Sequence, residues 1–237
     1  MIKFQKKHRN IVIILNYVVF LQQKKMFNIN KFQEIQQSLE KNEVLCKIVA
    51  VSKNHSQEKV LEAINHGVSI FGENRVIEAR DKFYEIKEHN PNIELHLTGP
   101  LQSNKVKLAS KLFDVIHTLD REKIAQELAK HKHNLLNKKI LIQVNTGKEK
   151  NKSGIYPNDL KEFMNFCQKD MGLNITGLMC IPPVDDNPKI HFEQLRSLAR
   201  LNNVKELSIG MSNDFEDAIN FNPSYIRLGT ILFGKRN

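Results

Sequence analysis

From residue 42 onward the chain alternates short apolar runs with charged, amphipathic stretches. The apolar runs are Lys47–Ser52, Val68–Gly72, Glu94–Thr98, Val115–Thr118, Lys139–Asn145, Ile175–Ile181, Glu206–Gly210 and Tyr225–Leu232. They are continuous rather than alternating, the pattern of parallel strands covered by helices. The stretches between them read as helices: Gln57–His66, Arg75 to about Glu88, a short one from near Asn104, one capped by Asp120 and running to Lys132, one with Pro157 in its first turn and running to Lys169, Lys189–Arg200, and Asp214–Asn220. Gly67, the Asn90-Pro91-Asn92 turn and Ile181-Pro182-Pro183 punctuate the series. An amphipathic helix over Asn30–Asn42 precedes it. Strict alternation of strand and helix predicts an α/β fold, a single (β/α)8 TIM-type barrel. An open doubly wound sheet is the alternative, and it usually carries a G-x-G-x-x-G turn after its first strand. Here that place holds Val51-Ser52-Lys53-Asn54-His55-Ser56, with no glycine.

Length and composition fit one such barrel: 237 residues, 41% hydrophobic, with no tryptophan, so the core rests on Ile, Leu, Val and Phe. The net charge of +10 raises nucleic-acid binding as a role. Its distribution argues against that role. Lys3, Lys6, Lys7, Arg9, Lys24 and Lys25 sit in an N-terminal stretch with no acid, and elsewhere both signs intersperse along helical stretches, as on a solvated surface. Residues 1–25 hold an apolar run, Ile11 to Leu21, broken by Asn16 and followed by Gln22-Gln23-Lys24-Lys25. The run is shorter than the roughly 20 residues that span a bilayer, and no small-residue cleavage site follows. Residues 1–25 therefore read as an extension, disordered or a non-native start, with membrane association as the alternative and no stable insertion expected. Residues 26–237 read as the barrel with an N-terminal helix. Cys46, Cys167 and Cys180 form no C-x-x-C pair and are odd in number, which fits a reducing cytoplasm.

Barrel chemistry gathers just past the C-terminal ends of the strands. Those positions hold Lys53; Glu73 and Asn74; Gly99, Gln102 and Asn104; Asn145, Ser153 and Gly154; Gly210, Met211, Ser212 and Asn213; and Arg227, Gly229 and Thr230. A lysine directly after an apolar strand is partly desolvated, which favours the neutral amine that attacks an aldehyde. The bland reading of Lys53 is a surface residue at a loop start. The loops after strands seven and eight are where barrels often take a phosphate. Gly210-Met211-Ser212-Asn213 and Gly229-Thr230 offer N–H donors and hydroxyls there, although such glycines also serve tight turns alone. A Schiff-base lysine facing a phosphate site is the combination that pyridoxal 5'-phosphate (PLP) needs. No metal site is evident, because His131 and His133 are two apart on an expected helix and share no face. His96 reads as a packed strand residue.

Several stretches together resemble the pyridoxal phosphate homeostasis protein family. They are Ala50-Val51-Ser52-Lys53, Phe71-Gly72-Glu73-Asn74, His96-Leu97-Thr98-Gly99-Pro100-Leu101-Gln102-Ser103-Asn104-Lys105, Gln143-Val144-Asn145, Lys152-Ser153-Gly154-Ile155, Gly177-Leu178-Met179, Leu207 to Ser212 with Asp214, and Ile226 to Thr230 with Phe233-Gly234. The resemblance runs from about residue 29 to 235. It implies a PLP barrel of fold type III without the C-terminal β-domain, with Lys53 as the Schiff-base lysine and Ser212, Gly229 and Thr230 at the phosphate. It also implies Asn74 and Met211 at the cofactor, and Arg227 near the pyridine ring, where an arginine keeps the ring nitrogen unprotonated. Asn222-Pro223-Ser224 stands where Gly-Ser-Thr is usual, and Ile77 where Gln is common.

The expected role is intracellular PLP homeostasis, buffering PLP and delivering it to apo-enzymes, by a cytoplasmic monomer without robust catalytic activity. The alternative is a weak PLP-dependent racemase of the alanine-racemase barrel type. Such racemases resemble two-domain chains whose β-domain supplies a tyrosine base in trans, and this sequence stops five residues past Leu232. Tyr156 is the one tyrosine expected in a loop on the cofactor side. A third reading, a barrel enzyme acting on phosphorylated sugars, needs paired carboxylates or a second base at the mouth, and Glu73 is the one strong candidate.

Overall fold

The computed structural model describes residues 27–235; the reading of residues 1–25 as an extension lies outside them. The chain enters through α1 (Ile29–Lys41), whose Asn28 cap accepts from Lys31 N and whose Phe32, Ile35 and Leu39 are buried. Strand β1 (Lys47–Val51) is buried from its second residue onward. There follow α2 (Gln57–Asn65), β2 (Ile70–Glu73), α3 (Val76–His89), β3 (Glu94–Leu97), a 3-10 turn (Ser103–Lys105) leading into α4 (Val106–Leu112), β4 (Val115–Leu119) and α5 (Glu122–Ala129). The second half is β5 (Lys139–Gln143), α6 (Leu160–Asn165), β6 (Ile175–Met179), α7 (Pro188–Leu201), β7 (Glu206–Ser208), α8 (Phe215–Ala218), β8 (Tyr225–Leu228) and α9 (Thr230–Phe233).

The eight strands pair in sequence order and close into a barrel, as the alternation predicts. Closure is the parallel pairing of β1 with β8, in the register Lys47 with Tyr225, Ile48 with Ile226, Val49 with Arg227 and Ala50 with Leu228. A large apolar core fills the layer between strands and helices. A smaller cluster inside the barrel comprises Val49, Val51, Val115, Leu141, Met179 and Tyr225. It shares the interior with polar side chains: His96, His117 and Ser208 are fully buried and Arg227 nearly so.

Several boundaries depart from the sequence reading. The last run splits, because Gly229 (φ −112°, ψ −81°) leaves the strand and Thr230–Phe233 coils into α9. An apolar run alone does not separate a strand from a buried helical turn, and Leu232 and Phe233 are apolar because α9 packs onto α1 and Phe27. Asp120 is not the cap of α5. Arg121 occupies that position, and the Asp120 carboxylate pairs with the Arg121 guanidinium at 2.5 Å. Pro157 lies in a turn ahead of α6, whose end relaxes into a π-helical turn over Phe166–Asp170. His133 falls in a 3-10 turn rather than a continuous helix, and its ring meets that of His131 edge-on at 6.4 Å.

Glu73, which the sequence offered as a possible base, has a structural setting. Its Oε1 accepts from Ser52 Oγ and Lys82 Nζ, each at 2.7 Å, and Lys82 also reaches the Ser52 carbonyl at 2.8 Å and Glu78 at 3.1 Å. Both partners are buried, and burial pushes the Glu73 carboxyl upward against the pull of Lys82. Removing the cation strands a buried carboxylate, so Lys82→Met is expected to cost about 3–5 kcal/mol of stability. Urea unfolding of the purified variant beside the wild type measures this.

Candidate functional site

Parallel closure brings the C-terminal ends of all strands to one mouth. Lys53 stands two residues beyond β1, in a turn that Asn54 completes at φ 60°. Because β1 pairs with β8, Lys53 opens beside Arg227 and Gly229. A cavity of about 250 Å³ lies between them, lined by Val51, Lys53, His55, Asn74, Thr98, Ile181, Met211, Ser212, Asn213, Arg227, Gly229 and Thr230. All seven residues expected at the cofactor line it: Lys53, Asn74, Met211, Ser212, Arg227, Gly229 and Thr230.

The loop after β7 owes its shape to Gly210, whose φ of +85° is the left-handed region that favours glycine. Its backbone then turns tightly: Met211 N donates to Asp214 Oδ1 at 2.5 Å and Phe215 N to the Met211 carbonyl at 2.9 Å. Ser212 Oγ accepts from Ile231 N at 3.4 Å, which ties this loop to the start of α9. Gly229 sits where a Cβ would approach the Val51 carbonyl to 3.3 Å, so the β1–β8 seam stays close at the mouth. Thr230 opens α9, and the first N–H groups of a helix have no acceptor within it. Ile231 N is taken by Ser212 Oγ, and Leu232 N and Phe233 N by the Gly229 carbonyl, while Ser212, Gly229 and Thr230 all line the cavity.

Arg227 closes the floor. It is 5% exposed, and its guanidinium donates to Ser208 Oγ at 2.6 Å and to the Cys180 carbonyl at 2.9 Å. Burial lowers its pKa, opposed by the charge of Asp214. On the opposite wall Thr98 Oγ1 donates to Asn74 Oδ1 at 3.0 Å, leaving the amide nitrogen of Asn74 for other partners. The His55 ring stacks on Phe233 at 5.2 Å.

Val51, His55, Thr98, Ile181 and Asn213 also line the cavity. Thr98 and Ile181 lie at the ends of the third and sixth apolar runs, so the barrel rule could have found them. Other strand-end residues do different work. Gly99 packs under Asn74, where a Cβ would come within 2.4 Å of its carbonyl oxygen. Asn145 Nδ2 donates to the Glu149 carbonyl at 2.8 Å, and Gln143 Nε2 to that of Ser153 at 3.1 Å, which folds the loop after β5 onto itself. Gln102 lies in a neighbouring groove outside the cavity. Among the described residues no group of three His, Cys, Asp or Glu side chains is placed to hold a metal ion, and no helix is long and apolar enough to cross a membrane.

The Gly210 turn leaves little room for a side chain. A Cβ there would meet Ala218 Cβ at 2.7 Å in a backbone conformation already unfavourable to L-residues. Gly210→Ala is expected to cost about 1–3 kcal/mol, read as a lowered thermal midpoint by calorimetry.

Residues 27–237 match the family described as alanine racemase, N-terminal domain. A pyridoxal phosphate homeostasis protein of Vibrio cholerae is 41% identical over 201 residues, which cover 80% of this chain and 85% of that one. PipY of Synechococcus elongatus, solved without PLP, is 33% identical with a TM-score of 0.79, covering 87% of this chain and 99% of PipY. PipY solved with PLP bound gives a TM-score of 0.72 at 34% identity, covering 80% of this chain and 92% of that one. Barrel, mouth and likeness agree: the chain belongs to the alanine racemase N-terminal-domain family and, within it, to the pyridoxal phosphate homeostasis proteins.

Proposed function

We propose that this chain binds PLP covalently through Lys53 and serves PLP homeostasis, buffering the reactive aldehyde and passing it to apo-enzymes. The observation that carries the reading is the gathering of one half-buried amine, one buried cation and a set of hydroxyl and N–H donors around a single cavity. The fit is chemical. Arg227 is a buried cation whose hydrogen-bond partners are a hydroxyl and a carbonyl, not a carboxylate, so it suits an electron-rich ligand group.

PLP would bring an aldehyde, an electron-withdrawing ring and a dianionic phosphate. The amine of Lys53 would bond the aldehyde carbon with loss of one water. Ser212, Gly229 and Thr230, helped by the Ser212–Asn213 backbone, would hold the phosphate. Arg227 is a donor-only group. Turned toward the ring nitrogen, it would keep that nitrogen unprotonated and weaken the ring as an electron sink. Asn74 would fix the ring edge.

The lining favours carriage over turnover. Among the described residues, Lys53 and His55 are the bases of the cavity, which no carboxylate, thiol or tyrosine lines. A two-base racemase needs its second base opposite the lysine, and His55 stands only two residues from Lys53 in the same loop. Tyr156, though partly exposed, lies outside the cavity. The three free cysteines support a reducing cytoplasmic setting, and the proposed working unit is a monomer.

The test is uptake of PLP by the purified protein, followed by borohydride reduction and peptide mass spectrometry. The wild type should turn yellow and carry reduced PLP on the peptide containing Lys53, while Lys53→Ala should carry none. A wild type that stays colourless with excess PLP would sink the reading. Exchange of the α-hydrogen of alanine at the pace of a dedicated racemase would overturn carriage in favour of turnover.

A further inference from the structure

A TIM barrel interior is ordinarily filled by layers of branched apolar side chains. Here a column of polar groups crosses it. Arg227 Nη1 lies 2.6 Å from Ser208 Oγ, which lies 2.8 Å from His117 Nδ1. His117 Nε2 lies 2.8 Å from His96 Nδ1, and His96 Nε2 lies 2.9 Å from Glu94 Oε1. Glu94 starts β3, at the end of the barrel away from the cavity, and its other oxygen accepts from Lys47 Nζ at 2.8 Å. The column links the cavity floor to the opposite barrel face.

Its hydrogens can be assigned by valence. The hydrogen bond from His96, with help from Lys47 and against the effect of burial, holds the Glu94 carboxyl down at about 2, so Glu94 is an anion and only accepts. His96 must then carry its hydrogen on Nε2. Burial lowers both imidazoles, and His96 and Arg227 press His117 further down, so both rings are neutral. The bare Nδ1 of His96 accepts from His117 Nε2, and the bare Nδ1 of His117 accepts from the Ser208 hydroxyl. Ser208 Oγ in turn accepts from Arg227. Every donor points toward Glu94 and every acceptor toward Arg227. The opposite sense would set a lone pair of His96 against the Glu94 carboxylate.

The surroundings isolate the column. Tyr225 presents its ring edge-to-face to His96 and His117 at 5.2 and 5.3 Å. The Tyr225 hydroxyl is engaged with Glu206 at 3.2 Å and Lys139 at 3.3 Å. Val49, Val51, Val115, Leu141 and Met179 surround the rest. In so apolar a sleeve, hydrogen bonds polarise one another along a chain.

We propose that Ser208, His117, His96 and Glu94 are positioning residues for Arg227, forming a one-directional hydrogen-bonded relay that brings the charge of Glu94 through the barrel to the guanidinium in the cavity. The inference rests on the reading that Arg227 faces bound PLP. It makes Glu94, on the far face, a determinant of how firmly that ligand is held.

Two substitutions and one spectrum test it. Glu94→Gln keeps an acceptor for His96 and removes the charge. His117→Phe keeps the bulk and cuts the relay at its centre. The dissociation constant for PLP is expected to rise about threefold in Glu94→Gln and about tenfold in His117→Phe, the scale of weakening a hydrogen bond to a charged group. The absorbance maximum of bound PLP should shift in both. Lowered thermal midpoints with unchanged affinity and absorbance would make the column merely structural and overturn the relay. His117→Phe could fail to fold, but Glu94→Gln, at a solvent-accessible position, decides the question alone. Two-bond 1H–15N spectra of histidine-labelled protein without PLP should show two neutral Nε2–H rings for His96 and His117, and a protonated ring or an Nδ1–H form at either would overturn the relay independently of the ligand. A wild type that binds no PLP would instead defeat the cofactor reading itself.

Discussion

The parallel pairing of β1 with β8 is the contact on which the rest depends. It closes the sheet, and by its register it sets the position after β1 beside the end of β8. Lys53 and Arg227 are separated by most of the chain, yet four residue pairs along one seam bring them to a single cavity. A shift of one residue in this seam would exchange inward and outward side chains on β8. Arg227 would then lose Ser208 and Cys180 and face the helix layer. Gly229 protects the register at the mouth, since a side chain there would crowd the Val51 carbonyl.

The same closure explains why the polar interior is tolerated. A buried hydroxyl or imidazole is costly when unpaired and inexpensive when every hydrogen finds an acceptor. Each imidazole nitrogen in the column has a partner, and the chain ends on charged groups. The ion cluster of Glu73 and Lys82 solves the corresponding problem just outside the sheet, where it joins β2 and α3 to the carbonyl of Ser52, next to Lys53. A site built on strand ends is thus supported from below by buried hydrogen bonds and an ion pair.

The architecture was legible because its signal is periodic. Eight apolar runs with helices between them have few alternatives, and strand-end positions follow from the runs. That rule joined to the family resemblance singles out Lys53, Asn74, Met211, Ser212, Arg227, Gly229 and Thr230 as candidates, and one cavity is lined by all of them. What escaped depends on three-dimensional neighbours. Nothing local marks Tyr225–Leu232 as a strand followed by a helical turn, since both halves are buried. Asp120 reads as a cap until Arg121 captures its carboxylate. His96 and His117 sit in different apolar runs, and His96 reads as a packed strand residue. Only the inward pleat of β3 and β4 shows that their rings meet.

The two ends of the described chain also meet. Asn28 N donates to the Leu232 carbonyl at 2.7 Å, the rings of Phe27 and Phe233 touch at 5.2 Å, and Lys59 Nζ reaches the Phe233 carbonyl at 3.1 Å. α9, which carries Thr230, is therefore clasped by α1, the first helix among the described residues. A growing polypeptide that has completed β7 already owns its lysine but has neither the arginine floor nor the Gly229-Thr230 corner. The cavity is therefore complete only when the last strand and its short helix dock onto elements made much earlier.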